Sequence, residues 1–209
     1  MQNHAINFIF QMGITTEYLH YATGGWKFGC LPGVITTKVG FTGGTTKNAT
    51  YRNIGDHTET ISLEYDPSKV SYGDLLKKFW SFHNPTVSHR TQYMSAIFYH
   101  NTKQKLEAEE SKNEQQKKMV QPILTQIKKA DMFYDAEDYH QKYQLRRYHE
   151  ILDCLNLSNE ELITSPVAAR LNGYLGGYGS AKAFEEECED LELPHKIRSL
   201  VSRKLQNKL

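Results

Sequence analysis

The chain is short of cysteine, of net charge and of long apolar runs, and each shortage removes a class of protein. Cysteine occurs three times in 209 residues, at Cys30, Cys154 and Cys188. Three thiols so far apart cannot all pair, which argues for reduced cysteines in a cytoplasmic setting rather than a disulfide-stapled secreted domain. Lys+Arg 25 against Asp+Glu 24 leaves a formal charge of +1. That is no surplus for neutralising a phosphate backbone, so no nucleic-acid partner is expected. The early apolar run "AINFIF" is too short to cross a bilayer and lacks the basic flank and cleavage pattern of a secretory signal. The first 25 residues also contain no Arg, unlike a transit peptide. Chemical motifs are missing too. No paired-cysteine spacing and no His-Glu-x-x-His helix is present, so a metal site has no support. "FTGGTTKNATY" has paired glycines without the Gly-Lys-Ser/Thr ending of a phosphate loop. The Gly-x-Ser-x-Gly elbow of serine hydrolases is absent.

What is present suits one domain with a small appendage, large enough to bury a core. The 13 tyrosines supply apolar bodies for that core and hydroxyl donors for a polar substrate. Residues 1–25 show no sustained period and form an atypical N-terminal segment. "VITTKVGF" (34–41) is β-rich and runs into the Gly-punctuated loop "TGGTTKN". "ETISLEYDP" alternates, with Ile61, Leu63 and Tyr65 on one face, and predicts a half-buried strand ended by Asp66-Pro67. Ser71 with Asp74 opens a helix whose buried stripe is Leu75, Leu76, Phe79 and Trp80. "SAIFYH" predicts another strand, 101–119 a long solvated helix, "PILTQIKKA" a third main strand, and 135–155 a further helix. Beyond Asn156 the character changes. "SNEEL" is a capping signal, "NGYLGGYGS" a Gly-rich loop, and 181–209 an amphipathic, charged helical tail. Strands interleaved with helices predict an α+β fold, a two-layer sandwich of mixed sheet and flanking helices, with a helical C-terminal extension. The corresponding boundaries are 1–25, 26–156 and 157–209.

Three clusters could carry chemistry. "NATYRNIGDHTE" holds Tyr51, Asp56, His57 and Glu59 at the entry to a strand. A carboxylate there is usually solvated; one drawn into a cleft has its pKa raised by desolvation and can donate a proton near neutral pH. "HNPTVSHRTQYMSA" is a polar loop with Tyr93 just ahead of apolar residues. In "FYDAEDYHQKY", His140 and Tyr143 lie three apart and would share a helix face. Cys30, in "YATGGWKFGCLPGV", is the candidate nucleophile. The opposing reading of Cys30 is a small buried apolar residue, since the electropositive setting of a reactive thiol is represented nearby only by Lys27.

Taken together, "PGVITTKVGFTGG", "TYRNIGDHTETISLEYDP", "LLKKFWSFHNPT", "TQYMSAIFY" and "FYDAEDYHQKY" resemble, in order and spacing, the A-type peptide-methionine sulfoxide reductases. The resemblance runs from about Leu31 to Tyr143. It implies a ferredoxin-like mixed sheet and thiol-dependent reduction of the S-epimer of methionine sulfoxide, free or in proteins, as repair after oxidative damage. Glu59 would protonate the departing oxygen, Tyr51 and Tyr93 would orient it, and His140 and Tyr143 would line the substrate pocket. In the family a cysteine attacks the sulfur and becomes a sulfenic acid. A second thiol resolves it to a disulfide that thioredoxin reduces. No metal or organic cofactor is implied, thioredoxin or another thiol being the reductant, and a monomer is expected.

The chain departs from the family pattern in three places, one being the loop at Ser88, which is shorter and lacks the acidic residue of the family's Gly-Asn-Asp stretch. The Gly-Cys-Phe-Trp nucleophile motif does not occur; the family's cysteine would fall near Leu19–His20, where "YLHYATGGW" supplies none. "NGYLGGYGS" resembles the family's Asn-Gly-Tyr-Cys-Gly segment with Leu175 in the place of its cysteine. The alternative to a working reductase is therefore a non-catalytic homologue that keeps the sulfoxide pocket.

Overall fold

Central position of a strand that has no legible pattern organises the molecule. The computed structural model describes residues 8–13 and 22–206, so the expected nucleophile position at Leu19–His20 lies outside the described residues. β1 (Phe8–Gly13), β2 (Val34–Thr42), β3 (Thr58–Tyr65), β4 (Ala96–Tyr99), β5 (Gln126–Lys129) and β6 (Tyr134–Asp135) form one sheet in the order β5-β4-β1-β3-β2-β6. β1 is thus an interior strand, antiparallel to β3 on one side and to β4 on the other. Residues 8–13, within the stretch that shows no sustained period, thus form a strand. Its place is set by pairing with β3 and β4, far along the chain, for which no local period is needed.

β3 departs from its expected half-burial. Ile61, Leu63 and Tyr65 face the sheet core as expected, but Thr58, Thr60 and Ser62 on its opposite face are buried as well. The strand is buried on both sides rather than half-buried, with its polar side satisfied locally, as where the Thr60 hydroxyl donates to the Thr58 carbonyl at 2.9 Å. β5 is a short strand at one edge, paired in parallel with β4, not a third main strand. The sheet is accordingly mixed, with helices flanking it, and the α+β expectation holds.

Among the helices, α1 (Ala22–Gly29) precedes β2, and α2 (Tyr72–Ser81) follows β3. Ser71 caps α2 by accepting from the Asp74 amide and buries Leu75, Leu76, Phe79 and Trp80, as read from the sequence. α3 (Thr102–Gln116) is the long charged helix. The helix expected over 135–155 is instead broken into a 3-10 turn at Asp138–His140, α4 (Tyr143–Arg146) and α5 (His149–Leu155). Lys142, in the left-handed region at φ 52, interrupts it.

The C-terminal helices are α6 (Asn159–Thr164), α7 (Pro166–Gly176), α8 (Ala181–Glu187) and α9 (His195–Gln206). Ser158 and Glu161 form the expected capping box of α6. "NGYLGG" is not a loop: Asn172 to Gly176 complete α7, which ends only at Gly177 with φ 88. Its glycines serve close packing. A β-carbon on Gly29 of α1 would collide with the Ala169 carbonyl of α7, and one on Gly173 would sit 2.9 Å from the Cys30 sulfur. Two helices meet backbone to backbone there, which only glycine permits.

Two cores result. Met12, Phe41, Ile61, Leu63, Leu75, Phe79 and Ile97 fill the one under the sheet. Leu145, Ile151, Leu171, Tyr174, Phe184, Ile197 and Val201 fill one among the helices, and Cys30 belongs to it. Among the described residues no helix is long and apolar enough to cross a membrane.

Candidate active site

Glu59 is in phase with Ile61, Leu63 and Tyr65 and so points its carboxylate along the apolar side of β3, where it is 1% exposed. A carboxylate there needs polar partners. Gln92 donates its side-chain amide to Glu59 Oε1 at 2.7 Å. Gln92 lies in the 3-10 turn Thr91–Tyr93, which Thr58 anchors by donating its hydroxyl to the Thr91 carbonyl at 3.0 Å. The next residue, Tyr93, shares a side-chain hydrogen bond with Tyr51 and senses the Glu59 charge. Burial first, then Glu59 and Tyr51, push the Tyr93 phenol upward, so it keeps its proton and remains a donor. Tyr51 and Glu59, from the first sequence cluster, and Tyr93, from the second, are therefore one group. Gly13, at the end of β1, closes the floor; a β-carbon there would lie 2.6 Å from Thr58 Cγ2 and 2.9 Å from the Met94 carbonyl.

The rest of the first sequence cluster is scaffolding. Asp56 accepts from the amides and hydroxyls of Thr45 and Thr46, which hold its carboxyl well below the usual range. His57 Nδ1 accepts from the Gly44 amide at 3.1 Å, leaving the proton on Nε2, which donates to the Thr46 carbonyl at 2.7 Å. Both side chains brace the glycine loop after β2 and have no capacity left for a substrate.

His140 joins the site through its ring, 5.0 Å from that of Tyr51, and the same stretch holds Tyr51 by its backbone, the amide donating to Glu137 Oε1 at 3.0 Å. The shared helix face expected for His140 and Tyr143 does not exist: His140 ends a 3-10 turn and Tyr143 begins α4 beyond Lys142. Tyr143 stacks on Trp26 instead, ring centres 6.1 Å apart, and stays 45% exposed.

Cys30 lies elsewhere. β2 and β3 pair from Val34↔Tyr65 at one end to Phe41↔Glu59 near the other. Glu59 and Tyr65 are six strand residues apart, a span of roughly 20 Å. Cys30 precedes Val34 at the Tyr65 end, packed on Gly173. Burial pushes its thiol up to about 11, outweighing the nearby Arg170 guanidinium, which is itself engaged by Glu187 at 3.1 Å and by the Leu31 carbonyl at 2.6 Å. At neutral pH such a sulfur is a thiol, not the attacking thiolate. The other cysteines, Cys154 and Cys188, also belong to or pack on the helical core. Among the described residues, no group of His, Cys, Asp and Glu could hold a metal ion.

Sequence reading missed four supporting residues. Gln92 lies in the polar loop "HNPTVSHRTQYMSA", where no local signal marks it as the partner of Glu59. Gln141 pairs with both backbone groups of Val39, accepting from its amide at 3.0 Å and donating to its carbonyl at 2.8 Å. Lys142 donates to the Thr37 carbonyl and, at 2.9 Å, to that of Ile163. Asn172 of α7 accepts from the Gln144 and Leu145 amides at 3.0 and 3.1 Å, capping α4 from another helix. The extended backbone of Gln141 and the left-handed backbone of Lys142 separate the His140 and Tyr143 segments, and these three side chains fix that break in place.

Comparisons with known proteins bear on the family and the fold. The model of the peptide methionine sulfoxide reductase family matches residues 26–166, and that of the selenoprotein methionine sulfoxide reductase A helical domain matches 156–202. The second match covers the segment that resembled an Asn-Gly-Tyr-Cys-Gly loop and is here α7. A peptide methionine sulfoxide reductase of Drosophila melanogaster is 43% identical over 169 residues, 79% of this chain and 69% of that protein. Methionine sulfoxide reductase A of Corynebacterium diphtheriae superposes with a TM-score of 0.58 at 30% identity, covering 67% of this chain and 74% of that one. Mxr1 of Saccharomyces cerevisiae in reduced form superposes with a TM-score of 0.60 at 25% identity, covering 70% and 88%. The chain belongs to the peptide methionine sulfoxide reductase family.

Proposed function

From that membership we propose that this chain binds methionine S-sulfoxide, free or in oxidised proteins, at the Glu59–Tyr51–Tyr93 group and activates it for reduction by thiols. The observation that carries this is the burial of the Glu59 carboxyl, bonded by the Gln92 amide and close to the Tyr93 phenol, which shares a hydrogen bond with Tyr51. A sulfoxide oxygen leaves only when protonated. Glu59 as the acid supplies that proton, and the phenols of Tyr51 and Tyr93 hold the oxygen in line. His140, against Tyr51, and Tyr143, against Trp26, form the walls for the rest of the methionine.

The reaction balances with two thiols: one attacks the sulfur as the oxygen departs, the second releases the sulfide, and a disulfide and water result. Thioredoxin, which the family resemblance implies, or another dithiol is the electron source, with no metal or organic cofactor. The free thiols of Cys30, Cys154 and Cys188 suit a reducing compartment. A second reading has its own observation. Cys30 stands at the far end of the β2–β3 ladder with its thiol pushed up to about 11, which favours a protein that binds and polarises sulfoxide without an attacking cysteine of its own.

The test is turnover of a methionine S-sulfoxide substrate with dithiothreitol, alongside equilibrium binding, for the wild type and Glu59→Gln. Reduction that falls by about 10²–10⁴-fold in Glu59→Gln, the usual worth of a general acid, supports the reductase reading. Binding without turnover selects the second reading. Absence of both refutes the site.

A further inference from the structure

A basic groove lies where α4 runs into α5, just past Tyr143, and plays no part in the chemistry above. It has a volume of about 420 Å³ and is bounded by Arg147, His149 and Glu150 at the α4–α5 corner and by Leu200, Arg203 and Lys204 on α9. Arg147, Arg203 and Lys204 make no ion pair among the described residues; Arg147 makes one hydrogen bond, to the Gln144 amide oxygen at 3.3 Å. The accumulation is local. The whole chain carries a net charge of +1, whereas α9 bears Lys196, Arg198, Arg203 and Lys204 without one acidic residue. Three cations without ion-pair partners, against the single carboxylate of Glu150, leave a net positive charge around the half-buried Leu200. An anionic segment with an apolar side chain complements that charge and covers Leu200.

The groove also has a direction. Arg147 follows Tyr143 by four residues around α4 and continues in helical backbone conformation, so both stand on one face of that turn. A peptide whose oxidised methionine enters beside Tyr143 would lay its neighbouring residues along Arg147 toward Arg203 and Lys204.

We propose that this groove is the docking surface for acidic residues flanking the oxidised methionine of a protein substrate. The inference rests on the sulfoxide-site reading above and deepens it by naming the substrate class. A nucleic acid fits less well, because a chain of net charge +1 has no wider basic surface along which a phosphate backbone could run.

The experiment compares three peptides of equal length, each with one methionine S-sulfoxide, flanked by acidic, neutral or basic residues. Their affinities are measured by fluorescence anisotropy at low and high salt, with the wild type and the Arg147→Glu/Arg203→Glu double variant. Expected is about tenfold tighter binding of the acidic peptide at low salt, the sum of a few exposed charge pairs, lost in high salt and in the variant. Binding of free methionine S-sulfoxide stays unchanged in that variant. Equal affinity for all three peptides overturns the groove and leaves the sulfoxide site standing. Displacement of the acidic peptide by an oligonucleotide at lower concentration than by an acidic peptide overturns it in favour of a phosphate ligand. If neither free sulfoxide nor any peptide binds, the failure lies with the site reading itself, and the docking proposal falls with it.

Discussion

The two ends of the β2–β3 ladder each bury a reactive group, and they treat it in opposite ways. At the Phe41↔Glu59 end a carboxylate is met by the Gln92 amide and stands beside the Tyr51 and Tyr93 hydroxyls. At the Val34↔Tyr65 end the Cys30 thiol is packed against Gly173, and its thiolate form is suppressed. Burial is common to both. What separates a chemical site from a structural one is whether the buried group's neighbours are hydrogen-bonding donors or close-packed backbone.

Breaking the packed end should produce the largest effect on stability. Gly29→Val forces a branched side chain into the Ala169 carbonyl and is expected to cost about 3 kcal/mol, in the range of overpacked cores, read as a lower denaturation midpoint. A fall in sulfoxide affinity of the folded protein larger than the fall in stability would show that the two ends are not independent.

His83 sharpens the comparison with a buried titratable group outside both ends. Its Nδ1 donates to the Phe79 carbonyl at 3.1 Å, its Nε2 accepts from the Ser95 hydroxyl at 2.7 Å, and burial lowers its pKa from 6.5 to about 4. Between those values the unfolded chain takes up a proton that the native state refuses. Stability is therefore expected to fall as pH drops from 6.5 toward 4, by up to about 3 kcal/mol. Denaturant titrations of wild type and His83→Gln across that window check it; parallel curves would remove His83 as the cause.

The smallest effect belongs to Cys30→Ser. A slightly mismatched buried hydroxyl should cost about 1 kcal/mol and leave turnover with dithiothreitol unchanged. Loss of turnover in a folded Cys30→Ser protein would reverse the comparison and make the packed end catalytic.

Legibility in the sequence followed the range of the interaction. The cap at Ser71, the stripe from Leu75 to Trp80 and the capping box of Ser158 with Glu161 were readable because each is settled within a few residues. Glu59, Tyr51 and Tyr93 were named from motif resemblance, and their meeting was beyond any local signal. β1 was missed because both its partners, β3 and β4, lie far along the chain. The break at Lys142 was missed because what holds it, Gln141 on Val39 and Asn172 on α4, spans 102 and 27 or 28 residues.

By itself, then, the sequence determined the residue types and the family: the strands and helices with local caps and periods, a carboxyl in phase with an apolar row, and the lack of a Gly-Cys-Phe-Trp motif. Tertiary structure alone decided which of those residues meet. It drew Glu59 to Gln92 and Tyr93, and it turned "NGYLGG" from a loop into the helix that α1 packs on. It also consigned Cys30 to a packing interface. The physical reason is that reactivity depends on desolvation and on hydrogen-bonding neighbours, which arrive from distant parts of the chain and leave no mark on the residues beside the reactive one.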